Sequence, residues 1–119
     1  MRVVHGRRVT PSEIICTAIR KCQLIEFDYD GLHRVVAPYC HGHSSKGELL
    51  RGVQIGGESR SPWIRSGKLW SVSKMVAVTA TSTPFVPDDP EYNPFDSSMV
   101  RIHCHLRSLA VPRPLPDLP

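Results

Sequence analysis

The stretch that decides the fold is Ile25–Ala37, which reads IEFDYDGLHRVVA. Apolar and acidic residues alternate strictly in its first six positions, and this period of two predicts a strand with one buried and one solvated face. Asp30-Gly31 then gives the signal of a two-residue hairpin, because both positions of such a turn need positive φ. Residues 32–37 are the predicted return strand, and Pro38 is expected to end it.

A helix is predicted immediately before this hairpin. Thr10-Pro11-Ser12-Glu13 has the pattern of a capping box, in which Thr10 and Glu13 satisfy each other's backbone amides and Pro11 suits the first helical position. Apolar residues then recur at helical spacing through Cys22. The pattern predicts one helix over residues 11–22.

Beyond the hairpin, the chain has the pattern of short strands separated by turn signals. Polar or irregular connections are expected at 41–47, 56–62 and 84–98. The further predicted strands lie at about 48–55, 68–72, 75–81 and 100–106. One helix followed by several short strands predicts a mainly β protein with one N-terminal helix, folded as a small β-barrel or rolled sheet.

Length and composition limit the class of protein. A chain of 119 residues, with 40% hydrophobic and 22% charged residues, suits one globular domain. The longest apolar runs fall short of the ~20 residues of a membrane helix, and no apolar core of a signal peptide follows the basic start. We expect a cytoplasmic protein with a basic lead-in at 1–10, a β-barrel domain at 11–107 and a Pro-rich disordered tail at 108–119.

The charge distribution points to an anionic partner. Residues 1–75 contain 12 Lys and Arg against 6 Asp and Glu, whereas residues 76–119 contain 3 against 5. A basic surface of this kind favours nucleic acid or a phosphorylated ligand. The same cations could also form an ordinary solvated face.

The four cysteines show neither a C-x-x-C pair nor the spacing of a disulfide framework. Cys16 and Cys22 are six residues apart on the predicted helix, too far around it to bridge easily, and Cys40 and Cys104 lie elsewhere. We therefore expect four reduced thiols that mostly behave as small buried hydrophobes.

Several short motifs together resemble the WYL domain family. They are I-x-x-A-I at 15–19, F-x-Y at 27–29, G-x-x-R at 31–34 and V-x-P at 36–38. Further on, KLWSVSKM at 68–75 resembles the family's R-x-F-x-x-D-R-I segment. The resemblance covers residues 13–106 and rests on the order and spacing of the motifs.

This resemblance implies a small SH3-like (Sm-like) β-barrel that senses nucleic acid or a nucleotide within bacterial transcription regulators. The chain departs from the family where Glu48-Leu49-Leu50 replaces the name-giving Trp-Tyr-Leu. Lys68 and Lys74 also stand where arginines are typical, which keeps the charge but loses bidentate phosphate geometry. The ten residues before the helix are too few for a helix-turn-helix.

The resemblance and the basic bias together predict a ligand-binding patch of cations and aromatic rings. Cations would contact phosphates, and aromatic faces would stack on bases. The predicted residues are Tyr29, His33, Arg34, Arg51, Lys68, Trp70 and Lys74. Ligand occupancy would act on a homodimer or on a regulatory partner protein, with no membrane partner and no cofactor. Without the resemblance, Tyr29 and Trp70 would be read as core residues.

Two other functions remain open from the sequence, and a third is not expected. A zinc site is one alternative, because alternate residues of a strand share a face and two H-x-H pairs are present, His41 with His43 and His103 with His105. A protein–protein assembly module without nucleic-acid binding is another. Catalysis is not expected, because the chain has neither a nucleophile elbow nor a P-loop.

Overall fold

The structure, a computed structural model, describes residues 9–59, 67–89 and 92–106. The first eight residues of the predicted lead-in and the whole predicted tail at 108–119 lie outside this range. Within it, the chain forms one helix, α1 (Pro11–Lys21), and six strands. The strands are β1 (Gln23–Tyr29), β2 (Leu32–Ser44), β3 (Gly47–Gly57), β4 (Lys68–Ser71), β5 (Val76–Pro84) and β6 (Arg101–His105).

The helix begins as the sequence predicts. Thr10 accepts a hydrogen bond from the backbone N–H of Glu13, and the Glu13 carboxylate accepts one from the N–H of Thr10. Cys22 ends the helix in the left-handed conformation, with φ of 53°. The buried stripe of α1 consists of Ile15, Ala18 and Ile19, which pack on the sheet.

The predicted hairpin is also confirmed. β1 and β2 pair antiparallel with Phe27 opposite Arg34, and both turn residues have positive φ, 53° for Asp30 and 77° for Gly31. The predicted end of the return strand is wrong, because β2 continues through Pro38 to residue 44. Pro38 lies opposite Gly52 next to a register shift, and such an irregularity is where a strand tolerates a proline.

The long β2 strand organises the sheet. β3 pairs along one edge of β2, while β1 and β6 share the other edge, at residues 32–36 and 40–43 respectively. The antiparallel order is β4-β3-β2-β1-β5, with β6 on β2. The prediction of a mainly β fold with one helix is confirmed. Across the described ranges no pairing joins β4 to β5, so the sheet is not closed into a barrel.

Helix α1 covers the sheet, and a disulfide fastens it there. Cys16 of α1 is bonded to Cys104 of β6, with their Cα atoms 5.8 Å apart. The prediction of four reduced thiols is therefore wrong for this pair, because the fold brings together cysteines that are 88 positions apart. Cys22 and Cys40 are free, and burial raises the pKa of Cys40 to about 11.

The described helix is also relevant to membrane placement. Nowhere in the described residues is a helix long and apolar enough to cross a bilayer.

Candidate functional site

Four of the seven predicted binding residues line one small cleft. We call it the tryptophan cleft; it has a volume of about 400 Å³ at the hairpin end of the sheet. Its lining residues are Tyr29, Asp30, Arg34, Ser59, Lys68, Leu69 and Trp70. The hairpin contributes the first three, and β4 contributes the last three.

Arg34 is the buried cation of the tryptophan cleft. Its side chain is held by two hydrogen bonds, from Nη1 to the Gln54 amide oxygen at 3.3 Å and from Nη2 to the Tyr29 carbonyl oxygen at 3.1 Å. The residue is only 5% exposed, and its buried Nε–H has no acceptor in the described structure. Among the described residues no carboxylate lies within ion-pairing distance of this guanidinium.

Aromatic rings enclose the Arg34 guanidinium. Its central carbon lies 5.7 Å from the ring centroid of Tyr29 and 5.6 Å from that of Trp70, and the ammonium of Lys68 lies 5.1 Å from the Trp70 ring. Trp70 is 2% exposed and donates its indole N–H to the Gly52 carbonyl. This burial leaves Trp70 no free face for a base, so any stacking surface in the cleft belongs to the half-buried Tyr29.

The other three predicted residues lie outside the lining of the tryptophan cleft. Arg51 donates to Asp96 from Nε at 2.8 Å and from Nη2 at 3.2 Å, so its charge is already matched. His33 lies between Glu26 and Asp28 and forms a hydrogen bond with each. The hydrogen bond with Asp28 has the largest effect on the pKa of His33 and raises it, and Glu26 raises it further. Lys74 is exposed on the short 3₁₀ turn after β4.

A second and larger cleft lies between α1 and the sheet. We call it the helix cleft; it has a volume of about 730 Å³. Ser12, Cys16 and Arg20 line it from the helix, where their spacing of four residues places them on one face. His41, Glu48 and His103 line it from the sheet.

The helix cleft contains a connected set of polar groups. His41 Nδ1 lies 3.5 Å from the sulfur of Cys16, and His41 Nε2 lies 2.9 Å from the Glu48 carboxylate. Glu48 also accepts a hydrogen bond from the Ser12 hydroxyl. This hydrogen bond lowers the pKa of Glu48, and the hydrogen bond with His41 lowers it by a smaller amount. Burial lowers the pKa of His41 despite the opposing effect of Glu48.

The predicted four-histidine zinc set is only partly assembled. His103 contacts both His41 and His43, with ring centroids 5.3 Å and 5.0 Å apart. His105 instead bonds through Nδ1 to the Leu106 carbonyl. In the part of the chain that is described, one group brings three metal-ligating atoms within 4.8 Å of one another: Cys16, His41 and Cys104.

Glu48, Ser12 and the Cys16–Cys104 pair belong to the helix cleft or its disulfide without having been among the predicted site residues. The spacing of Ser12, Cys16 and Arg20 at intervals of four was a usable signal that they share a helix face. The proximity of His41 to Cys16 is not predictable from the local pattern, because residues 41–47 have the composition of a polar loop. In the structure His41 lies in the continuation of β2, which brings it next to α1.

Comparisons with known proteins add no relative. No protein-family model, curated protein or solved structure matches this chain. The resemblance to the WYL domain therefore remains a prediction from motifs.

Proposed function

We propose that this protein is a ligand-sensing module that binds a nucleotide-like phosphate anion in the tryptophan cleft. Arg34 supplies the buried positive charge, Lys68 supplies a second cation at the cleft, and the half-buried Tyr29 supplies an aromatic surface for a base. Trp70 supports this arrangement from beneath and does not stack on the ligand.

The observation that carries the proposal is that the buried cation Arg34 forms no ion pair with any described residue. A buried charge is costly unless it is paired, and buried ionic groups are usually matched by an opposite charge. Among the described residues, Arg34 donates hydrogen bonds to two neutral oxygens, lies against two aromatic rings and forms no ion pair, although Asp30 also lines the cleft. A phosphate in the cleft would supply the missing negative charge.

The cations of the described residues favour a small anion over a nucleic-acid strand. Binding along a strand requires a groove of cations that follows successive phosphates. Here Arg51 is neutralised by Asp96, and His33 and Lys74 lie outside the cleft lining. The volume of about 400 Å³ is in the range of pockets for small ligands.

The finer assignments belong to the same proposal. The resemblance to WYL domains supports an SH3-like (Sm-like) strand arrangement, left unclosed in the described residues, and a role in bacterial transcription regulation, with ligand occupancy acting on a homodimer or a partner protein. The oligomeric state of the chain, measured with and without ATP, tests the homodimer part of this proposal.

The proposal is tested by calorimetric titration of the full chain with ATP, inorganic pyrophosphate and a single-stranded oligonucleotide at two salt concentrations. We expect ATP to bind most tightly and its affinity to fall with salt. Lys68→Ala should weaken ATP binding about 10- to 150-fold, because a hydrogen bond to a charged group contributes about 1.5–3 kcal/mol.

Lys46→Ala is the matched control, because Lys46 is exposed in the turn between β2 and β3, away from the cleft lining. Equal losses in the two lysine variants would contradict the cleft assignment. Tighter binding of the oligonucleotide than of ATP would favour the nucleic-acid alternative. Absence of binding by all three probes at low salt would contradict the proposal and leave the protein–protein assembly module.

A further inference from the structure

The Cys16–His41–Cys104 group has the ligands of a transition-metal site. Thiolate sulfur and imidazole nitrogen are the donors that zinc prefers in proteins. His41 Nδ1 lies 3.5 Å from the sulfur of Cys16, which matches the separation of about 3.5 Å between a nitrogen and a sulfur on one tetrahedral zinc. The cysteines come from α1 and β6 and the histidine from β2, so three packed elements fix the group.

The surroundings of His41 are those of a metal-binding histidine. A histidine ligand usually donates its second ring N–H to a carboxylate, which fixes the tautomer and the orientation of the ring. His41 has this arrangement, because its Nδ1 faces the sulfur while its Nε2 lies 2.9 Å from Glu48. Ser12 holds the same Glu48 carboxylate from the helix side.

The group also has an approach from solvent. Cys16 and His41 line the helix cleft of about 730 Å³. A metal on the three ligands would therefore have a fourth position that faces this cleft. Three protein ligands with an open fourth position are the arrangement of zinc sites that bind water or substrate, whereas structural sites are closed by four protein ligands.

We propose that reduction of the Cys16–Cys104 disulfide converts this group into a Zn²⁺ site whose protein ligands are Cys16, Cys104 and His41. A dithiol reductant supplies two electrons and two protons, so the S–S bond breaks, two thiols form and the reductant becomes a disulfide. Zn²⁺ then displaces the two thiol protons and accepts the lone pair of His41 Nδ1. A disulfide oxidant reverses the change: it accepts two electrons from the two thiolates and two protons from water, leaves as a dithiol, and the re-formed Cys16–Cys104 bond releases the metal.

The test is a Co²⁺ titration of the full chain, without an affinity tag, in its two redox states. After reduction with a phosphine, which adds no thiol, we expect one equivalent of Co²⁺ with a thiolate-to-cobalt absorption band and the visible bands of a tetrahedral ion. Zn²⁺ should bleach both features, and the oxidised chain should show neither. Because the two samples share one sequence, this comparison does not depend on whether a variant folds.

Variants assign the ligands. Cys104→Ser should remove the thiolate band of the one-to-one complex or halve it, while Cys22→Ser and His105→Gln, the matched controls, should leave it unchanged. Glu48→Gln should weaken metal binding about 10- to 100-fold without changing the ligand set. The proposal is overturned if reduced protein gives no thiolate band, if the oxidised chain binds Co²⁺ equally well, or if Cys22→Ser has the effect expected of Cys104→Ser.

Discussion

The carboxylate of Asp96 forms a two-pronged ion pair with the guanidinium of Arg51, 45 residues earlier in the chain. Asp96 is 7% exposed, and it also accepts a hydrogen bond from the backbone N–H of Ser98. The pair ties the irregular segment between β5 and β6 to the middle of β3. It also explains why Arg51, a predicted anion-binding residue, has its charge matched within the protein.

This pair predicts a loss of stability in acid. Burial by itself raises the pKa of Asp96, but the hydrogen bonds from Arg51 and Ser98 outweigh it, so the folded-state pKa is lowered. A lowered folded-state pKa gives stability that is full above the unfolded value of about 3.9 and is lost as the pH falls through the folded value. Asp96→Asn should cost about 1–3 kcal/mol of unfolding free energy at pH 7. It should also reduce the fall of the unfolding free energy as the pH drops below about 4.

Urea denaturation between pH 2 and pH 7 measures this effect, with Glu58→Gln as an exposed control. If the unfolding free energy of Asp96→Asn falls with acid as steeply as that of the wild type, another carboxylate governs acid unfolding.

The disulfide predicts a stability that depends on the redox state. Linking Cys16 to Cys104 closes a loop of 88 residues and restricts the unfolded chain. Reduction, in the absence of metal, should lower the unfolding free energy by about 2–4 kcal/mol. Urea denaturation with and without a phosphine reductant measures this loss.

The double variant Cys16→Ser/Cys104→Ser is the control, since it should unfold at the same urea concentration under both conditions. Alkylation of the unfolded, unreduced chain should label two of the four cysteines, Cys22 and Cys40. Labelling of all four would contradict the disulfide.

The helix cap predicts a smaller effect. Thr10→Ala removes the hydroxyl that accepts the N–H of Glu13, and loss of such a cap costs about 1 kcal/mol. Thr10→Ser keeps the acceptor and should stay close to the wild-type stability. Thermal unfolding of the two variants measures the difference, and an equal loss in both would show that the hydroxyl bond contributes nothing.

Local patterns predicted much of the fold. The capping box at 10–13 and the turn at Asp30-Gly31 are short-range signals, because the groups that satisfy one another are within a few residues. The continuation of β2 is not predictable from the local pattern, because a proline normally ends a regular strand. Pro38 is tolerated inside β2 because it lies next to a register shift. Pairing with β3 and β6 across residues that looked like a polar loop is a tertiary effect.

Long-range partners account for most of what the sequence could not predict at the sites. The predicted patch includes both Arg34 and Trp70, and the structure places the Arg34 guanidinium carbon 5.6 Å from the Trp70 ring centroid, but the burial of Trp70 depends on packing against Phe27 and Tyr29. The Cys16–Cys104 bond joins two elements that no local pattern connects. Of the four candidate zinc histidines, only His41 joins the described group of close metal-ligating atoms, and its two companions are the cysteines Cys16 of α1 and Cys104 of β6.

The most direct test of the proposed ligand function is a nuclear magnetic resonance titration of the nitrogen-labelled chain with ATP. The chain has two tryptophans, Trp63 and Trp70, so the indole N–H signals are readily assigned with Trp63→Phe. We predict saturable shifts of the Trp70 indole and Arg34 Nε–H signals, weakened in Lys68→Ala and retained in Lys46→Ala. Saturable shifts that spare both signals, or no shifts at low salt, would contradict ligand binding in the tryptophan cleft.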